Sequence, residues 1–187
     1  MMTNDRESDT DWAQVAARLA SARNYWLGTA AASDAPHTAP IWGVVVDDRF
    51  FIYSERETVK AKNIERDPRV VVHLESAEHV VIVYGRMIDE GQPSGMPDVV
   101  HALSIKYDAP GDSQYLPSVN EDFDVLYRLQ PERALLWELS DYDGSQQRWS
   151  SSHLAARTKV RVCDPLPVFW GTTDGGAIGL CIVAEWL

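Results

Sequence analysis

Arg56, Lys60, Lys62, Arg66 and Arg69 crowd the stretch SERETVKAKNIERDPRV at 54–70, interleaved with acids such as Glu57, Glu65 and Asp67. In a chain of formal net charge -11, a local positive island calls for a local anion. A phosphate suits it, because the first turn of a helix offers unpaired N–H groups and the positive end of the dipole, and Lys60 adds a full charge. Thr58 would contribute a hydroxyl. The alternative makes Thr58 an ordinary N-cap, with Lys60 and Lys62 solvated on a short helix. Ser54 followed by Glu57 also fits a capping box, which would start the helix earlier and leave Lys60 outside its first turn.

Other chemistries lack their signatures. No Gly-x-Ser-x-Gly elbow anchors a Ser-His-Asp set, and neither a dinucleotide fingerprint nor a P-loop occurs. The five His are scattered without i, i+4 pairing. His73 and His79 fall in apolar runs and read as core or edge residues, whereas His37 divides evenly between a ligand contact and a surface role. Cys163 and Cys181 form no Cys-x-x-Cys pattern, so neither a disulfide nor a metal site is expected.

The elements that must position the island follow from periodicity. Thr10 or Asp9 can cap a helix through Ala22 with Trp12, Val15, Ala16 and Leu19 on one face. Strands are expected over 24–31, 37–46 and 49–53, with turns at Ser33–Asp34 and Asp47–Asp48. Pro40 cannot donate a ladder hydrogen bond, so it marks an edge, a bulge or a place where a ligand meets backbone. After the island's helix come strands over 69–75 and 79–89, continuous apolar runs that suggest cover on both faces, with Gly85 at a bulge. A loop at 91–95 leads to a helix over 96–105. The irregular segment 107–118 is a lid or a connector, and 119–124 a short helical turn. Strands 125–129 and 134–139, split by Pro131, a turn at 142–145 and a last segment ending at Arg148–Trp149 complete the reading.

These pieces carry a resemblance. NYWLGTAA, PHTAPIWGVVVDD, FFIYS, TVKAKNIERDPRVVVHLE and VVIVYGRM, followed by YRLQPERALLWELSDYDGSQQRW, together resemble the pyridoxamine-phosphate-oxidase-like flavin and deazaflavin proteins. The resemblance implies a mainly β (α+β) fold: an antiparallel, Greek-key-like split β-barrel with short flanking helices. It also implies an oxidoreductase that binds FMN or the deazaflavin coenzyme F-420 at a homodimer interface and moves hydride to or from a small-molecule substrate. In that pattern Lys60 anchors the phosphate, Thr58 lies on the same turn and Asn63 ties the helix to neighbouring backbone. The backbone of Ala39, Pro40, Ile41 and Trp42 runs along the coenzyme ring, with His37 beside it. Arg148 and Trp149 match a C-terminal pair that reaches the coenzyme of the other subunit, although a Trp there also buries area. Relatives carry an acid before the strand glycine, where this chain has Tyr84. The rival reading is a non-enzymatic barrel that holds flavin, haem or a linear tetrapyrrole, with His37 or His101 available as an axial ligand.

Composition agrees with a folded domain: 187 residues, 45% hydrophobic, seven Trp. The acidic balance speaks against nucleic acid or an anionic membrane as partner. The first residues lack a signal or transit pattern, so the expected location is the cytoplasm. The expected organisation is a barrel domain over 1–150, with its leading helix at 10–22. Residues 151–187 form an atypical extension with only three acids, expected to play no part in the site.

Overall fold

A computed structural model describes residues 8–33 and 35–151. Asp34, the expected extension at 151–187 beyond its first residue, and both cysteines lie outside the described residues.

The chain order is β1 (Ser8–Asp9), α1 (Trp12–Ser21), β2 (Tyr25–Ala30), β3 (Pro36–Ile41), β4 (Gly43–Val46), β5 (Arg49–Ser54), α2 (Val59–Arg66), β6 (Arg69–Leu74), β7 (His79–Gly91), α3 (Pro97–Lys106), β8 (Val125–Glu138), α4 (Tyr142–Ser145) and β9 (Gln147–Ser150). Seven strands run β4-β5-β8-β7-β6-β2-β3, each antiparallel to its neighbours. β9 and then β1 extend the sheet from the later half of β8. The fold is therefore the mainly β, antiparallel split barrel that the sequence implies.

The split has a local cause. The single strand expected over 37–46 is two strands, because the chain bends at Trp42: β3 pairs with β2, whereas β4 pairs with β5. No ladder joins β3 to β4, so the two ends of the curled sheet meet there unpaired. Pro40 lies on β3, an edge strand, where its missing N–H removes no ladder bond. At Gly43 a side chain cannot fit, since a Cβ would stand 2.6 Å from Phe50 Cζ and 2.7 Å from Phe51 O. Asp47 and Asp48 take positive φ (50° and 58°), the type I′ geometry of a two-residue hairpin.

Three other features differ from expectation. Helix α1 is capped by Asp11, whose carboxylate accepts from Gln14 N at 2.9 Å, not by Asp9 or Thr10. Pro131 does not split β8; the ladder to β7 shifts register at Tyr84/Gly85 and the strand continues. Gly85 permits this, since a Cβ there would lie 2.3 Å from Gln130 O. Strands β6 and β7 alternate buried and half-buried residues, so within one chain only their inner faces are fully covered.

The barrel interior is filled by Tyr25, Leu27, Phe50, Ile52, Val72, Val81, Val83 and Leu136, with Val15 and Leu19 of α1 packed against them. A second cluster lies on the other face of β4 and β5. There Val99, Leu103, Tyr107 and Leu116 from the 97–116 region pack on Val44, Phe51, Tyr53 and Leu126. The segment after α3 is thus a packed layer and not merely a connector. Among the described residues no helix is long and apolar enough to cross a membrane.

Candidate functional site

Helix α2 starts where the alternatives of the sequence left it open. Thr58 is the N-cap, its Oγ1 accepting from Ala61 N at 3.4 Å, so Lys60 stands in the first turn. The earlier capping-box start does not occur. Instead the buried Ser54 places its hydroxyl 2.9 Å from Thr58 Oγ1 and donates toward the Glu55 carbonyl at 3.1 Å. A helix's first N–H groups have no intrahelical partners. With Ala61 N on the threonine, those of Val59 and Lys60 remain at this terminus.

The positive island comes apart on inspection of partners. Arg56 pairs with Asp89 at 2.7 Å, Lys62 with Glu57 at 2.7 Å, and Arg69 with Asp67 at 2.6 Å. Arg66 donates to the carbonyls of Ala30 (2.7 Å) and Ala31. Lys60 differs: among the described residues it makes no ion pair or hydrogen bond, although it is half-buried. Burial lowers its pKa, and the nearby Glu55, an acid the reading of the island passed over, opposes that shift.

Lys60 borders a crevice of about 360 Å³ that opens at the split of the barrel. Pro40, Ile41 and Trp42 form one wall, Tyr53, Ser54, Glu55 and Thr58 another, and Trp26, Glu75, Tyr115 and Phe123 complete the rim. Of the residues expected in the site, the fold brings together Thr58, Lys60, Pro40, Ile41 and Trp42. The Trp42 ring is stacked on Tyr107 (4.2 Å between centroids, 6° between planes), so one of its faces is already covered.

The remaining expected residues lie elsewhere. Asn63 is buried and its Nδ2 donates to Thr29 Oγ1 at 3.0 Å, which holds α2 on β2 through a side chain, not through backbone. Ala39 sits beside the crevice wall without lining it. His37 approaches Thr29 Oγ1 at 3.4 Å and borders a different, larger cleft of about 590 Å³ on the β2-β3-β6 face. That cleft's cations are engaged: Arg69 with Asp67, and Arg133 over the Tyr84 ring at 3.8 Å. His101 is exposed on α3. Trp149 is buried against Trp12, ring centroids 5.0 Å apart, so within the chain its ring fills the core. Arg148 beside it is exposed on β9.

Sequence reasoning missed Trp26, Ser54, Glu55, Glu75, Tyr115 and Phe123. One signal was present: Trp26 is the large aromatic at an outward position of β2, directly opposite Pro40 in the ladder.

Comparison with known proteins agrees with this architecture. Residues 12–88 match the family described as pyridoxamine 5'-phosphate oxidase. No curated protein sequence matches the chain. Among solved structures, the conserved hypothetical protein Rv2991 from Mycobacterium tuberculosis is 20% identical with a TM-score of 0.59, covering 92% of this chain and 98% of its own. A haem-binding protein from Mycobacterium smegmatis is 17% identical (TM-score 0.56), covering 79% of this chain and 61% of its own. An F-420 reductase is 17% identical (TM-score 0.51), with 62% and 91% covered. At these identities the likeness is one of fold.

Proposed function

We propose, from a split barrel of the pyridoxamine 5'-phosphate oxidase-like kind, that this protein is an oxidoreductase holding FMN or coenzyme F-420 in the crevice at the β3–β4 split. The observation that carries the reading is Lys60: a half-buried ammonium in a crevice, at a helix N-terminus, with Glu55 nearby but no ion pair or hydrogen bond among the described residues. A phosphate there would receive the ammonium, the first-turn N–H groups and the Thr58 region, and would relieve the cost of holding a cation partly out of water. Glu55 limits how much negative charge the turn accepts. The bound coenzyme supplies hydride chemistry, and the protein's part is grip, orientation and exclusion of water.

The protein works as a homodimer in this reading. Trp26, 38% exposed, lies both on the rim of the crevice and on the half-buried outer face shared with Val71, Ile82 and Tyr84. A second copy seated on that face would close the crevice.

A non-enzymatic haem or tetrapyrrole carrier is the second reading, supported by His37 and His73 on the border of the larger cleft. One titration separates them. Absorbance and fluorescence of the protein with FMN, F-420 and haem should show saturable binding of a flavin-type coenzyme, lost in Lys60→Ala. A Soret band that depends on His37 and ignores Lys60 would replace the first reading by the second. Sedimentation should give a dimer, and a strict monomer would remove the interface.

A further inference from the structure

We infer that Tyr115 and Phe123 form the substrate-facing wall of the crevice and select a flat ring without negative charge. The inference rests on the proposed function and names its substrate class. Tyr115 is 54% exposed, while the next residue, Leu116, is 3% exposed in the second core cluster. The chain is therefore anchored at Leu116 and turns the tyrosine ring outward. Its backbone is held as well, since the Tyr53 hydroxyl donates to Tyr115 O at 2.6 Å. An exposed aromatic on a fixed backbone has already lost the freedom that binding would remove.

The rings around it are set at fixed angles. Tyr115 stands perpendicular to Trp42 (90°, 6.2 Å), which is braced from behind by Tyr107, and Phe123 stands edge-on to Tyr53 at 5.0 Å. A planar ligand meets such a corner with stacked or edge-on contacts, whereas a puckered one of equal area cannot use them. Charge narrows the class further. Lys60 is the one cation among the described crevice-lining residues, and in the proposed function a phosphate takes it; the carboxylates there are Glu55 and Glu75. A substrate carboxylate or sulfonate would meet like charge, and a neutral or cationic ring would not.

The test uses the full-length protein, with and without FMN or F-420, and three probes in equilibrium dialysis: quinoline, cyclohexanol and 2-naphthoate. Quinoline should bind saturably, and cyclohexanol and 2-naphthoate far more weakly. Tyr115→Ala should weaken quinoline by roughly tenfold while Tyr115→Phe retains it, and the coenzyme affinity of both variants should stay within about twofold of the parent. Equal binding of quinoline by the parent and Tyr115→Ala, equal binding of all three probes, or no binding of quinoline overturns the inference. Coenzyme affinity that falls with Tyr115→Ala also overturns it, since the ring would then face the coenzyme. Quinoline binding that depends on Tyr115 in a protein that takes neither coenzyme leaves the wall standing and overturns the proposed function instead.

Discussion

Two lysines of this barrel begin from the same physical position and end differently. Lys60 on α2 and Lys106 at the end of α3 are both partly withdrawn from water, and burial lowers the pKa of each. Lys106 has its compensation inside the molecule. Its Nζ donates to Tyr25 Oη at 2.5 Å and to Gly43 O at 2.9 Å, and it lies 4.7 Å from the Tyr25 ring centroid. The Tyr107 hydroxyl beside it accepts from Gly43 N at 2.9 Å and reaches the Arg23 carbonyl at 2.7 Å. Lys60 has Glu55 in its neighbourhood and no hydrogen-bond partner among the described residues. A buried charge must be matched by something. Where the protein supplies the match the lysine is a fastener, and where it does not the proposed function assigns the match to a ligand.

The comparison predicts opposite mutational signatures. In the Lys106 region the largest effect should be on stability. Leu103, fully buried in the second core cluster, should cost about 2 to 5 kcal/mol on truncation to Ala. Urea unfolding checks this, and a loss below about 0.5 kcal/mol would mean that the α3 layer is loosely held. Lys60→Ala should do the reverse, leaving the unfolding midpoint nearly unchanged while weakening the flavin-type coenzyme by roughly 1.5 to 3 kcal/mol. If Lys60→Ala lowers stability and spares affinity, the two lysines play the same part and the contrast fails.

How much of this contrast the sequence discloses follows from what each feature depends on. The split barrel was legible because alternation, the Asp47–Asp48 turn and Pro40 are local signals, and the family pattern reinforces them. The helix carrying Lys60 was legible for the same reason. Its isolation was not, because Arg56, Lys62 and Arg69 look equally free until Asp89, Glu57 and Asp67 are brought beside them. Only Glu57 and Asp67 are near in sequence; Asp89 arrives through the fold. Trp149 shows the converse. Its position near the end of the motif suggests a ligand contact, yet Trp12, from the far end of the described chain, packs against it at a tilt and takes it into the core. The Trp42 break escaped the reading because nothing within PHTAPIWGVVV says that its two halves pair with different strands. The interruption shows only in the fold, where 36–41 pairs with β2 and 43–46 with β5.

A smaller effect tests whether the helix start, and not the lysine alone, makes the difference. Thr58→Ala removes the N-cap acceptor for Ala61 N and the partner of the Ser54 hydroxyl. It should cost about 1 kcal/mol of stability and loosen coenzyme binding by less than Lys60→Ala does, with Thr58→Ser restoring both. The Lys60 charge carries a pH signature too. Its lowered pKa means that coenzyme affinity should decline on the alkaline side before an ordinary lysine would lose its proton. Affinity measured from pH 7 upward checks this, and a decline that persists in Lys60→Ala would assign it elsewhere.

The smallest expected effect belongs to Lys106, and its sign is distinctive. Burial, then the neighbouring Arg23, brings its pKa down to about 8 from 10.5, so over that window the unfolded chain binds the proton and the folded one does not. Stability should therefore rise with pH from about 8. The tyrosines around it act in the other direction. Burial pushes Tyr107 up to about 12 and raises Tyr25 and Tyr53 as well, so above the ordinary tyrosine value of 10.0 the unfolded chain sheds protons first and stability falls. The two trends predict a stability maximum between the lysine's lowered pKa and the tyrosine range. Lys106→Met should erase most of the rise and keep the fall, while Lys60→Met should remove only the smaller share that its own lowered pKa contributes, since Glu55 opposes that shift. Thermal midpoints of the coenzyme-free protein across this range check the point, and a maximum that persists in Lys106→Met would show that another group sets it.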